Sequence, residues 1–146
     1  MQLFTPKFWA DVHGGSTHFP IALLVAATVF DLAALLIRAR SEERARDLQS
    51  AGFYTLLMGA LVSFAAVLSG LLVVGWETLG SGALGLHHRY VWPAFGLLIA
   101  IAIWRLLVRN RASQPSLATC VAVEIVATVL MLLSGYQGGV LLQGGA

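Results

Sequence analysis

Charge is what this sequence has least of: only 11% of its 146 residues are Asp, Glu, Lys or Arg, less than half of the ~25% found in soluble domains. So few charges cannot cover a water-facing surface. With 58% hydrophobic residues, the bilayer has to serve as part of the solvent. There is one cysteine, Cys120, so an intrachain disulfide and a multi-cysteine metal site are both excluded. The sequence contains no phosphate-binding loop, no dinucleotide fingerprint and no paired nucleophile and base, which argues against an independent enzyme. The net charge is only +2, and the arginines gather in two short stretches between apolar runs, so nucleic acid is not an expected partner. No internal repeat is evident.

Apolar runs are abundant. A helix needs ~20 mostly apolar residues to cross ~30 Å of hydrocarbon. Residues 18–37, 52–75, 88–108 and 116–138 each qualify. The runs are continuously apolar rather than alternating, which disfavours barrel strands. Short connections predict a single all-α domain over residues 1–146, an integral membrane four-helix bundle running up-down-up-down. The first run lacks a basic leader and a small-residue cleavage site, so it is expected to stay as an anchor. Along the second helix, Gly59, Ser63, Ala66 and Gly70 put small residues on one face, suited to close helix approach or to clearance for a flat cofactor.

Arg38, Arg40, Arg44 and Arg46 crowd the first connection, and Arg105, Arg109 and Arg111 surround the third; Lys7 and Arg89 fall at the other end. By the positive-inside rule the first and third connections are cytoplasmic. Both termini and the Trp76–Leu86 connection are then extracytoplasmic. Phe4, Phe8 and Trp9 form an interfacial anchor on that side, with Trp76, Tyr90, Trp92 and Tyr136 as an aromatic belt.

All four histidines, His13, His18, His87 and His88, fall at that same end, at the starts of the first and third helices. They can simply solvate helix starts. They can also ligate, because neutral imidazole is the commonest metal ligand. One histidine from each of two facing helices can clamp a b-type haem. His18, with Pro20 in what reads as a first helical turn, and His88 are the expected axial pair. His87 and His88 are ~100° apart on a helix, so one of them is expected to point inward. Gly70 and Gly135 lie at the same level, and Arg89 can pair with a propionate. A zinc or copper site of three or four histidines, with Asp11 or Glu77 nearby, is the alternative.

Asp31 and Glu124 lie at similar depth, roughly 11 Å from the arginine end at 1.5 Å per residue. A charge there costs ~2.5–3.5 kcal/mol on insertion scales. Either Arg105 pairs with one of them, or one or both are protonated, or they form a proton relay or quinone-side acid.

The segment HGGSTHFPIALLVAATVFDLAAL, with His13, His18, Phe19, Pro20 and Asp31, resembles the opening of a bacterial membrane-protein family catalogued as domain of unknown function 2231. LHHRYVW is similar to the family's His-Arg element, which maps onto His88 and Arg89, and SGYQGGVLLQGG to its glycine-rich ending. Gly14 departs from the proline that many members carry after the first histidine. Some members are fused to Rieske or c-type cytochrome modules. The resemblance therefore implies a redox setting in the bacterial inner membrane. Expected partners are other subunits of a redox complex, a periplasmic cytochrome or Rieske protein, and a quinone pool. A cofactor-free accessory subunit is the remaining alternative.

Overall fold

The computed structural model describes residues 5–108 and 113–142. Four helices follow one another: α1 (Pro6–Ile37), α2 (Glu42–Val73), α3 (Gly82–Val108) and α4 (Gln114–Leu142). All four are long and apolar enough to cross a membrane. Phe4, Arg109 and Arg111, and the end of the glycine-rich tail, lie outside the described residues.

Two helix starts follow from local chemistry. Thr5 caps α1, its hydroxyl accepting from the Phe8 amide at 3.2 Å, and Pro6 stands at the first position, where its missing N–H is harmless. Ser41 caps α2 in the same way, and Glu42 and Glu43 in the first turn complement the helix dipole. Gly75, with φ 63°, takes the left-handed conformation just past the end of α2. The loop that follows is tied back to α3 by the Trp92 indole N–H, which donates to the Thr78 carbonyl at 2.7 Å.

α1 begins twelve residues before the expected start at residue 18. His13 and His18 therefore lie within the helix, and Pro20 is in its interior rather than its first turn. The Gly14–Gly15 pair reads as a break in the sequence yet stays helical. Nearby hydroxyls add backbone bonds, Ser16 donating to the His13 carbonyl and Thr17 to the Gly14 carbonyl, both at 3.1 Å. These bonds supplement the helix around the glycine pair, one turn before Pro20. α3 starts six residues before expected and holds Pro93 internally, and α2 starts ten residues before expected.

The helices are antiparallel neighbours, forming two hairpins, α1–α2 and α3–α4, joined chiefly through α1 and α4. The interior is built from small side chains, including Ala27, Ala60, Ala94 and Ala127, around Leu24, Leu56 and Leu98. Large apolar side chains such as Phe19, Leu36, Tyr54, Leu61 and Leu107 face outward. Small residues inside and large ones outside is the distribution of a bundle solvated by lipid. Close approach is explicit at Gly59, where a β-carbon would come 3.2 Å from Leu23 Cβ.

Candidate functional site

The end of the bundle formed by the starts of α1 and α3 and the ends of α2 and α4 encloses a cavity of about 550 Å³. That is within the range of small-molecule and cofactor sites. Its walls are mostly apolar, and all four histidines line it.

Two of the imidazoles are held by the opposite strand of their own hairpin. His13 Nδ1 donates to the Ala66 carbonyl at 2.9 Å, with the Ser69 hydroxyl 3.3 Å away. His87 Nδ1 donates to the Ser134 carbonyl at 3.0 Å, with the Ser134 hydroxyl at 3.3 Å. A carbonyl only accepts, so Nδ1 carries a hydrogen in both rings, and in the neutral imidazole Nε2 then keeps its lone pair. Fixing one ring nitrogen on a backbone carbonyl is the usual support of a ligating histidine.

The two hairpins repeat this device. Each ring lies against a glycine four residues beyond its carbonyl partner: a β-carbon on Gly70 would come 2.8 Å from His13 Cε1, and one on Gly138 would come 3.6 Å from His87 Cε1. Eighteen residues further along the same helices stand Asp31 and Arg105, which pair with each other. Two equivalent helix pairs are thus present without any recognisable sequence repeat. The correspondence rests on isolated positions.

The other expected residues fall as follows. His18 is exposed at the cavity rim. His88 is buried, 7% exposed, and its Nδ1 has no hydrogen-bond partner. Both His87 and His88 line the cavity, where one was expected to point inward; their ring centroids are 5.7 Å apart. His88 also borders a second hollow beneath the 74–81 loop, and exposed Arg89 faces that hollow rather than the main cavity. Gly70 makes room for the His13 ring, and Gly135 lines the cavity against Ile21. Asp11 and Glu77 are exposed.

At the opposite end, Asp31, Arg105 and Glu124 are fully buried. Arg105 forms an ion pair with Asp31 and donates from Nη2 to the Gln49 carbonyl at 3.0 Å. Its Nη1 also lies 4.0 Å from Glu124 Oε1 and 3.8 Å from Cys120 Sγ. Gly52 leaves space for Asp31; a β-carbon there would be 2.7 Å from the carboxyl carbon. Among the described residues, the group of three metal-ligating types at ion-binding spacing is Asp31, Cys120 and Glu124, not the histidines.

A family model described as a predicted membrane protein, DUF2231, matches residues 10–143. The chain belongs to this family. The match begins before His13 and ends beyond Gly138, so both helix pairs of the DUF2231 domain and the whole histidine cavity are inside it. No curated protein and no solved structure matches the chain. This DUF2231 chain is a multi-pass membrane protein whose side chains carry the functional argument unaided.

Proposed function

We propose that this protein is a small membrane electron-transfer subunit that would hold one b-type haem in the histidine cavity, with His13 and His87 as the residues that would hold its iron. The observation that carries the reading is the matched pair of imidazoles, each with Nδ1 hydrogen-bonded to a carbonyl and Nε2 left with its lone pair, in one apolar cavity of about 550 Å³. The residues fit such a group. Two neutral imidazoles come from different hairpins, the walls are apolar, and the buried Nδ1 of His88 lacks a partner that a polar substituent would supply. The expected pair of His18 and His88 is less favoured, because His18 is exposed and, among the described residues, the buried Nδ1 of His88 has no hydrogen-bond partner to orient the ring. Bound haem would supply one-electron chemistry, with the ligand pair setting its potential.

A single zinc or copper ion fits less well. Among the described residues the histidines do not form a three-ligand group within 4.8 Å, whereas a haem iron would ask only two imidazoles of the protein. Orientation in this reading follows the arginines of the first connection, placing the cavity at the extracytoplasmic face. Electrons would then pass between a periplasmic redox protein and a quinone pool or larger complex.

The test is purification from haem-replete cells followed by a pyridine-haemochrome assay and elemental analysis. The reading requires haem b in a ratio near one per chain. Colourless protein containing zinc or copper supports the metal alternative, and colourless, metal-free protein the accessory-subunit one; either contradicts the proposal.

A further inference from the structure

We propose that the buried cluster at the arginine end is a binding site for one proton, carried by Glu124. The inference is independent of the haem reading, since the cluster occupies the opposite end of the bundle.

Two carboxyl groups and one guanidinium meet there with no exposure of any of the three. Carboxylate oxygens of Asp31 and Glu124 and the Cys120 sulfur lie within 4.8 Å of one another. Each helix packed around the site contributes: Asp31 from α1, the Gln49 carbonyl from α2, Arg105 from α3, and Cys120 with Glu124 from α4. Arg105 is the one cation in this group, and its fork is committed to Asp31 and the Gln49 carbonyl. With both acids ionised, the cluster would hold a net negative charge inside a low-dielectric bundle. Two carboxyls that share a site do not both ionise readily, and one retains a proton.

The contacts identify which one. Asp31 has the direct ion pair, whereas Glu124 Oε1 stands 4.0 Å from the guanidinium. Oε1 instead accepts from the Cys120 thiol at 3.3 Å. Among the described residues no donor reaches the buried Glu124 Oε2, and its carboxyl adjoins that of Asp31. A bare carboxylate oxygen in that position would keep an uncompensated charge, and protonation at Oε2 removes it. A metal ion is not the natural occupant. Arg105 Nη1 pairs with Asp31 and lies 3.8 Å from Cys120 Sγ and 4.0 Å from Glu124 Oε1, so a positively charged nitrogen already stands beside the three groups that would ligate a cation.

Infrared difference spectroscopy of the full chain in liposomes at neutral pH tests this through the protonated-carboxyl stretch, which shifts on deuteration. The other five side-chain acids, Asp11, Glu42, Glu43, Asp47 and Glu77, are exposed to solvent. The expected result is a protonated-carboxyl band that disappears in Glu124→Gln. In wild-type protein, carbon-13 labelling of glutamate carboxyls should shift the band and labelling of aspartate should leave it in place, which decides the matter even when the variant does not fold. Absence of the band in the wild type, or its displacement by labelled aspartate, would overturn the proposal.

Discussion

Gly70 and Gly14 both line the histidine cavity, and an alanine should have opposite consequences at the two positions. At Gly70 the new methyl would come 2.8 Å from His13 Cε1, so the ring must leave the Ala66 carbonyl that orients it. Loss of such support typically weakens ligation about 10–100-fold, and haem titration of Gly70→Ala should register a loss of that size. At Gly14 nothing lies within 4 Å. Gly14→Ala should stabilise the protein by about 0.4–1 kcal/mol through reduced freedom of the unfolded chain, measurable by thermal unfolding in detergent. The Asp31–Arg105 pair gives a larger effect. Removing one partner of a fully buried ion pair costs about 3–5 kcal/mol, so Arg105→Leu should be strongly destabilised. Arg40→Leu in the exposed first connection should change stability by less than about 0.5 kcal/mol. Chemical unfolding in mixed micelles compares the two. Asp31 and Glu124 were legible in the sequence as a pair at one depth, with Arg105 as a possible partner. The carbonyls of Ala66, Gln49 and Ser134 were not, because every residue has a carbonyl and only the helix register selects which one faces a ring or guanidinium.

Among the elements, the four apolar runs were readable from length and hydropathy, and the inner boundaries of α1, α3 and α4 held to within two residues. The inner boundary of α2, ten residues early, and the outer boundaries of α1 and α3 did not. A Gly-Gly pair and an X-Pro step signal termination in water, where freed backbone groups can turn to solvent. In this chain α1 runs through His13, His18 and Pro20, with the Ser16 and Thr17 hydroxyls adding bonds to the His13 and Gly14 carbonyls. At 1.5 Å per residue α1 is ~48 Å long, well beyond the hydrocarbon thickness, which carries its first turns to the membrane surface. The small-residue stripe on α2 serves this element too. Gly59 lets α1 approach closely, with Leu23 Cβ at 3.2 Å from a would-be side chain. Gly59→Leu should therefore separate α1 from α2 and destabilise the bundle by about 1–3 kcal/mol, as overpacking generally does; a shift in the same unfolding assay checks it.

For the whole molecule, the pairing of two similar hairpins explains why imidazoles gather at one end and the Asp31–Arg105 ion pair forms toward the other. His13 and Asp31 on α1 stand at the same separation as His87 and Arg105 on α3, so an arrangement that brings one pair together also brings the other. No segment similarity announces this, and the expectation of His18 and His88 as ligands rested instead on Pro20 marking a helix start beside His18 and on the nearness of His88 to its apolar run. The arginine distribution supplies a topological prediction. In intact cells a membrane-impermeant maleimide should label Leu79→Cys in the 74–81 loop, while Arg40→Cys should react only after lysis. The native Cys120 is 3% exposed and should remain silent.

The central claim, that imidazoles from the two hairpins grip one shared haem, is tested most directly by titrating haem into the purified protein and following the Soret band. Wild-type protein should saturate at one equivalent with a low-spin, six-coordinate spectrum, and His13→Ala and His87→Ala should each lose that spectrum. An unchanged low-spin complex in both variants, or no saturable binding by the wild type, would contradict it.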